Sequence, residues 1–173
     1  MTRAVEVVRT YLELRSPDQL RPYQGGDPHG RFVHRDPCPV DEYRRLYHDV
    51  GERWYWRDRL AWSDERLAAL LASPDIAVWE CRVGDECAGY FELARQPDGS
   101  VEIAYFGLIP LYIGRGLGGA MLTKAASEAW SVGANRVWLH TCTLDSPRAL
   151  PNYKARGFSE FRVERFVAQL PDE

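Results

Sequence analysis

The chain carries the glycine-rich stretch Ile113-Gly114-Arg115-Gly116-Leu117-Gly118-Gly119-Ala120. The stretch follows an apolar, strand-like run from Val101 to Ile109 and precedes an alanine-rich, helical run from Ala120 to Trp130. The first backbone N–H groups of a helix have no intrahelical partner, and the helix dipole places partial positive charge there. Glycines let a phosphate approach such a main chain closely. The stretch therefore predicts a site for a phosphorylated ligand.

Two common phosphate-binding patterns fit this stretch poorly. Gly114, Gly116 and Gly119 have the G-x-G-x-x-G spacing of dinucleotide-binding folds, but that turn follows its strand directly, and here residues 110–113 intervene. The next strand ends in His140-Thr141-Cys142 and lacks the acidic residue of those folds. The P-loop pattern fails because no Gly-Lys-Ser/Thr closes the run. Taken alone, the glycines are also compatible with a tight turn that packs a helix closely.

Composition limits the class of protein. The 173 residues carry a net charge of -3 with both signs mixed, which fits one domain over residues 1–173 and disfavours nucleic acid or anionic membranes as partners. The four cysteines lack metal-binding spacing, so no metal is expected. No signal peptide and no run long enough to span a membrane is evident. We therefore expect a soluble, cytoplasmic protein.

Hydrophobic periodicity predicts the order strand, two helices, three strands, helix, strand, helix, strand. The strands are expected at 5–14, 76–83, 88–94, 101–109, 136–142 and 161–170. The helices are expected at 42–50 after an Asp41 cap, at 67–72, after the glycine stretch, and from a 145–147 cap to just before Gly157. Strands 101–109 and 136–142 should be parallel because a helix joins them. The fold class is therefore mixed α/β, with a mostly antiparallel sheet flanked by helices and one parallel pair.

The two parts of the chain differ in character. Residues 1–75 are less regular, and prolines and glycines in 16–39 predict a surface flap. Residues 76–173 contain the glycine stretch and most predicted strands. The first part also contains an aromatic cluster that is expected to pack in the core and to line a pocket, formed by Tyr43, Tyr47, Trp54, Trp56 and Trp62.

Three motifs in order resemble the GNAT superfamily of acetyl-CoA-dependent N-acetyltransferases. Residues 113–118 are similar to the pyrophosphate loop Q/R-x-x-G-x-G/A of that superfamily. Phe106-Gly107-Leu108-Ile109-Pro110 resembles the end of the strand that pairs with the pantetheine arm. Residues 146–158 are similar to the last-helix pattern N-x-x-A-x-x-x-Y-x-x-x-G-F. The likeness covers most of the chain from Ile76 onward.

The resemblance implies acetyl-CoA as co-substrate and, as in many relatives, a homodimer. It also implies an amine acceptor on the side of residues 1–75, where the aromatic cluster would favour a small amine. The coenzyme-binding residues that it implies are Phe106, Gly107, Leu108, Ile113, Gly114, Arg115, Gly116, Leu117, Gly118, Gly119 and Ser146. Two positions depart from the pattern, because Ile113 replaces the usual Gln or Arg and Ser146 replaces the usual Asn. Pro151 is unusual inside a helix, so the last helix is expected to start late or to kink.

The resemblance also implies two catalytic residues, Glu102 and Tyr153. Glu102 precedes Gly116 by fourteen positions, the spacing of the general base in histone-acetylating members. Tyr153 matches the tyrosine that acts as general acid toward the coenzyme sulfur in many relatives. The alternatives are that Glu102 is an ordinary polar residue of its strand and that Tyr153 is a core tyrosine. His140 and Glu92 are lesser candidates, because a core position is expected for His140 and a solvent-facing one for Glu92. A non-catalytic acyl-CoA-binding sensor on the same fold is the alternative function.

Overall fold

The computed structural model describes residues 1–26 and 28–172. Its strands are β1 (Thr2–Leu14), β2 (Gly30–His34), β3 (Ile76–Val83), β4 (Glu86–Arg95), β5 (Val101–Leu108), β6 (Val137–Cys142) and β7 (Ser159–Pro171). Its α-helices are α1 (Val40–Gly51), α2 (Asp64–Ala72), α3 (Leu117–Ser131) and α4 (Ala149–Ala155). Within the described residues, no helix is long and apolar enough to cross a bilayer.

The strands form one sheet in the order β2-β3-β4-β5-β6-β1-β7. Neighbouring strands are antiparallel except β5 and β6, which are parallel. The predicted fold class, including the parallel pair joined through a helix, is thereby confirmed.

Apolar side chains fill both faces of this sheet. Phe91 and Leu93 of β4 belong to a cluster with Met121 of α3, whereas Tyr90 packs on the opposite face with Tyr43 of α1. Strands covered on both faces read as nearly continuous apolar runs, which is what the sequence of β4 shows. The helices therefore flank the sheet in two layers.

A β-bulge in β5 sets which side chains face each layer. Glu92 pairs with Tyr105, but the next residue of β4 pairs with Ile103, so Ala104 has no cross-strand partner. Ile103 and Phe106 are three residues apart, yet both consequently contact the apolar cluster that contains Met121 of α3. Tyr105 contacts the cluster on the opposite face, which contains Tyr43 of α1.

Three local predictions were wrong or incomplete. The segment 16–39 contains strand β2, which adds to the free edge of β3. Helix α1 has Pro39 as its N-cap, so Asp41 lies in the first turn instead of capping it. Helix α4 begins at Ala149 with Arg148 as N-cap, later than the predicted 145–147 cap. Pro151 thus lies in the first turn, where its missing N–H costs no helical hydrogen bond. The expected late start of this helix is confirmed.

Candidate active site

A cleft opens where β5 and β6 separate. These strands pair only at Val101–Val137 and Glu102–Trp138. Beyond that point β5 stays paired with β4, and β6 stays paired with β1, so the two strands diverge. The resulting cleft has a volume of about 680 Å³. Residues 103–108 line it from β5, and His140 and Cys142 line it from β6.

The glycine turn also lines the cleft. Gly114 and Gly116 have φ values of +87° and +85°, a region that side-chain-bearing residues rarely adopt. Gly116 is the N-cap of α3, and no side chain among the described residues caps that helix. A Cβ added at Gly118 would meet only Asn152 Nδ2 at 3.5 Å and Leu108 Cδ1 at 3.8 Å. The turn therefore leaves main-chain N–H groups and space for an anionic group such as a diphosphate.

Tyr23 explains two of the glycines in another way. An added Cβ at Gly119 would lie 2.5 Å from Tyr23 Cδ2, and one at Gly116 would collide with the Tyr23 hydroxyl. The Tyr23 N–H donates to Thr123 Oγ1 at 3.0 Å, and the Arg156 guanidinium lies 5.4 Å from the Tyr23 ring. Position 119 therefore has room only for glycine, because Tyr23 packs against α3 there. Sequence reasoning missed Tyr23, although Gly116, Gly119 and Thr123 share one helix face.

Tyr153 lies on α4 with its ring buried against the cleft. Its ring meets Phe106 edge-on at 5.9 Å between centroids and Phe158 at 6.4 Å. Burial, and then the charge of Asp145, raise the pKa of the Tyr153 hydroxyl well above its ordinary value. The hydroxyl therefore carries its proton at neutral pH and can donate a hydrogen bond to a developing anion.

Glu102 and His140 form a pair beside the cleft. His140 Nε2 lies 3.8 Å from Glu102 Oε1. Burial, and then the charge of Glu92, raise the pKa of the Glu102 carboxyl, while Arg59 opposes them. Burial and the charge of Arg9 lower the pKa of His140, so its imidazole is neutral at pH 7. The expected core position of His140 was wrong, because 36% of its side chain is exposed.

Glu92 is fully buried, so its predicted solvent-facing position was also wrong. Its carboxylate accepts hydrogen bonds from Arg59 Nη1 at 2.6 Å, Arg59 Nη2 at 2.8 Å and the Tyr43 hydroxyl at 2.7 Å. A buried carboxylate needs such partners because it has lost its water. The Arg59 guanidinium also lies 4.5 Å from the Tyr105 ring centroid. This ion pair fixes the segment between α1 and α2 to the sheet.

That segment brings part of the aromatic cluster to the cleft. Trp54, Tyr55, Trp56 and Asp58 line the cleft beside Tyr105. The other predicted cluster members have different places: Tyr43 and Tyr47 are buried in the core, and Trp62 packs on Arg59. The Tyr105 hydroxyl donates to Asp58 Oδ2 at 3.3 Å.

The arrangement of cleft, turn and helices agrees with one family of enzymes. The family model described as "Acetyltransferase (GNAT) family" matches residues 42–158. The chain belongs to the GNAT family.

Several acetyltransferases resemble this chain over part or most of its length. Uncharacterized N-acetyltransferases of Mycobacterium bovis and Mycobacterium tuberculosis are 34% identical over 96 residues. That match spans 56% of this chain and 61% of each relative, so the chain matches about three-fifths of their length. A GCN5-related N-acetyltransferase from Kribbella flavida superposes with a TM-score of 0.67 at 18% identity, covering 98% of this chain and 61% of that one.

An aminoglycoside acetyltransferase from an uncultured soil metagenomic sample, solved with trehalose, has a TM-score of 0.63 at 14% identity. The superposition covers 75% of this chain and 88% of the aminoglycoside acetyltransferase. At such identities the two solved structures establish a shared fold.

In this GNAT chain, most of the predicted site residues lie around one cleft. Those lining it are Phe106, Gly107, Leu108, Ile113, Gly114, Gly116, Gly118, Gly119, Ser146 and Tyr153. Three predicted side chains lie elsewhere. Leu117 is buried in the core, the Arg115 guanidinium lies 5.2 Å from the centroid of the Tyr112 ring, and Glu102 lies 3.8 Å from His140 without lining the cleft. The backbone of residues 115 and 117 still belongs to the glycine turn.

Cys142 is a thiol at the end of β6. It lines the cleft, but burial and the charge of Asp145 raise its pKa. A thiol that resists ionisation is a poor nucleophile. In the described part of the chain, no group of three or more His, Cys, Asp or Glu side chains could hold a metal ion.

Proposed function

We propose that the chain is an N-acetyltransferase that moves an acetyl group from acetyl-CoA to an amine of a small molecule or peptide. The observation that carries the proposal is that one cleft combines an uncapped, glycine-lined helix N-terminus with the buried hydroxyl-bearing side chain of Tyr153. We assign the whole chain to one acyltransferase domain, with residues 76–173 binding the coenzyme. Membership of the GNAT family supports acetyl transfer.

The main chain would hold the coenzyme at two places. The N–H groups at the start of α3 would bind its diphosphate. After Glu102, no strand among the described residues pairs with β5 on its β6 side, so backbone groups of residues 106–108 would be available for the pantetheine arm. The bound coenzyme supplies an acetyl thioester, and N–H groups of the same strand would stabilise negative charge on its carbonyl oxygen.

A protonated amine must lose a proton before it can attack. An amine with a pKa near that of lysine, about 10.4, is almost fully protonated at neutral pH. We assign Glu102 as the final proton acceptor. His140 lines the cleft, lies 3.8 Å from Glu102 and is neutral, so it would pass the proton. Attack is direct, within a ternary complex, and needs no covalent intermediate on the enzyme.

The departing thiolate needs a proton in return. A thiol has an ordinary pKa of about 8.5, and the pKa of Tyr153 is raised well above the ordinary value for tyrosine. Complete proton transfer from the phenol is therefore uphill, so the hydroxyl would share its proton with the thiolate in a hydrogen bond while the C–S bond breaks, and solvent would resupply any proton that leaves with the thiol. The Phe106 and Phe158 rings hold the Tyr153 ring in place for this step.

The acceptor side favours a compact amine. Trp54 and Trp56 supply apolar walls, and Asp58 supplies a negative charge for an ammonium group. One fold neighbour is named as an aminoglycoside acetyltransferase, so aminoglycosides belong in the set of amines to be tested.

One observation favours a second candidate function, an acyl-CoA-binding sensor without catalysis. Glu102 does not line the cleft in the described structure, so the proposed base does not reach the acceptor directly.

Calorimetric titration with acetyl-CoA tests coenzyme binding, which the enzyme and the sensor share. We expect saturable one-to-one binding, and its absence would overturn both. Amine-dependent turnover then separates the enzyme from the sensor.

A further inference from the structure

We propose that Arg148 provides the charged side chain that binds the diphosphate of coenzyme A, in place of the Gln or Arg that the family loop has at position 113. This inference rests on the proposed function, because it assumes that the cleft binds the coenzyme. It adds a residue outside the glycine loop to the binding site and explains how the loop tolerates Ile113.

Arg148 lies directly against the glycine turn. A Cβ added at Gly114 would be 3.4 Å from Arg148 Nη2 and 3.5 Å from both Nη1 and Cζ. Arg148 lines the same cleft as Gly114, Gly116 and Gly118. Its guanidinium is thus beside the turn whose N–H groups would receive the diphosphate.

The backbone of Arg148 is held in this place at the start of α4. The Arg148 N–H donates to Ser146 Oγ at 3.3 Å, and its carbonyl accepts the Asn152 N–H at 3.1 Å. Asn152 Nδ2 in turn donates to the Gly118 carbonyl at 3.1 Å, which ties α4 to the glycine turn. Ser146, the second departure from the family pattern, therefore helps to orient the arginine.

The loop itself does not provide this charge. The Ile113 side chain packs against the α3 core cluster, and the Arg115 guanidinium stacks on the Tyr112 ring. Arg148 is exposed and has no carboxylate within 4.0 Å among the described residues. A guanidinium without a counterion beside the positive end of a helix dipole is electrostatically unfavourable. A bound diphosphate would reverse that cost through charge-assisted hydrogen bonds.

Lys154 provides a matched control on the same helix. Its ammonium group pairs with Glu160 at 2.9 Å, and 53% of its side chain is exposed. Lys154 is not among the residues that line the cleft. Replacing either residue by glutamine removes one positive charge from the α4 region, but only Arg148 lies at the glycine turn.

The test is calorimetric titration of wild type, Arg148→Gln and Lys154→Gln with three ligands. These are coenzyme A, dephospho-coenzyme A, which lacks the 3′-phosphate, and pantetheine, which lacks the diphosphate. We expect Arg148→Gln to weaken binding of the first two ligands by about tenfold each and to leave pantetheine unchanged. Lys154→Gln should bind all three like wild type. Arg148→Lys, which keeps the charge but not the forked donors, should recover part of the loss.

Three results would overturn the role of Arg148 while leaving the proposed function intact. They are wild-type affinity for coenzyme A in Arg148→Gln, an equal loss for pantetheine, and a loss limited to the ligand with the 3′-phosphate. The last would assign Arg148 to a different phosphate. Thermal unfolding of each variant shows whether the fold is unchanged. Failure of wild type itself to bind coenzyme A would instead overturn the proposed function, and this inference with it.

Discussion

The Nε2 atom of His140 lies 3.8 Å from Oε1 of Glu102, across the point where the parallel strands β5 and β6 stop pairing. The distance is too long for a hydrogen bond but short enough for one water molecule or a small side-chain movement to connect the two groups. His140 lines the cleft, whereas Glu102 does not. This relationship defines the proposed route of the proton from the acceptor amine.

Replacing Glu102 by Gln should therefore slow the reaction without weakening coenzyme binding. We expect kcat/KM to fall by about 100-fold, because the neutral amide cannot accept the proton. Steady-state kinetics together with calorimetric affinity for acetyl-CoA make the comparison. Unchanged kcat/KM would assign Glu102 to the ordinary polar surface of its strand.

The Glu102→Gln substitution should also change how kcat/KM depends on pH. A base works only when deprotonated, so activity falls as pH drops through the pKa of Glu102. Burial raises that pKa, and the acid limb should therefore lie at higher pH than for an ordinary glutamate. The limb should be absent in Glu102→Gln when kcat/KM is recorded against pH. An identical limb in the variant would show that another group titrates.

Replacing Tyr153 by Phe isolates the hydroxyl. Phenylalanine keeps the ring contacts with Phe106 and Phe158, so folding and coenzyme affinity should stay close to wild type. Loss of the acidic proton should lower kcat by about 100-fold. Kinetics and calorimetry are again paired, and a parallel loss of kcat and coenzyme affinity would make Tyr153 a packing residue.

Two adjacent glycines should respond differently to alanine. In Gly119→Ala, the new methyl group meets Tyr23 Cδ2 at 2.5 Å and Arg156 Nη1 at 2.6 Å. The crowding should cost about 1–3 kcal/mol of unfolding free energy and loosen segment 16–39 toward protease. In Gly118→Ala, ordinary contacts should leave stability near wild type, while the methyl group at the cleft weakens coenzyme binding.

Thermal unfolding, limited proteolysis and calorimetry distinguish the two glycine variants. If Gly119→Ala kept wild-type stability and protease resistance, the packing role assigned to Tyr23 would be wrong. If Gly118→Ala bound coenzyme A like wild type, its N–H would not approach the diphosphate.

Arg59→Ala should strongly destabilise the protein. The change leaves the fully buried Glu92 carboxylate without its bidentate partner, which typically costs about 3–5 kcal/mol. The midpoint of thermal unfolding should fall by about 10 °C. Arg66→Ala is the control, since Arg66 also stacks on Trp62 but is exposed. Equal, small shifts in both variants would contradict a structural role for the Arg59–Glu92 pair.

Local patterns in the sequence were sufficient to predict the elements that place the cleft. The apolar run 101–109, the glycine turn and the helix after it imply a strand and a helix that lead into a parallel partner, and the sheet confirms this order. The effect of Pro151 on the start of the last helix was also predictable, because a proline without an N–H restricts where a helix can begin.

The contacts that sequence reasoning missed join residues far apart in the chain. Arg59 and Glu92 are separated by 33 positions, and Tyr23 reaches Thr123 across 100 positions. Hydrophobic periodicity indicates that Glu92 lies on a strand but not which cation covers it. Strand β2 was missed for a related reason, since it is stabilised by pairing with β3 and lies among prolines and glycines.

The most direct test is release of free thiol from acetyl-CoA by the purified chain in the presence of amines. The amines should include amino acids, polyamines and aminoglycosides, with product mass measured in parallel. We expect at least one amine to give thiol release that equals the amount of acetylated amine and that falls sharply in Tyr153→Phe. Tight binding of acetyl-CoA with no amine-dependent thiol release would contradict N-acetyltransfer and favour the sensor.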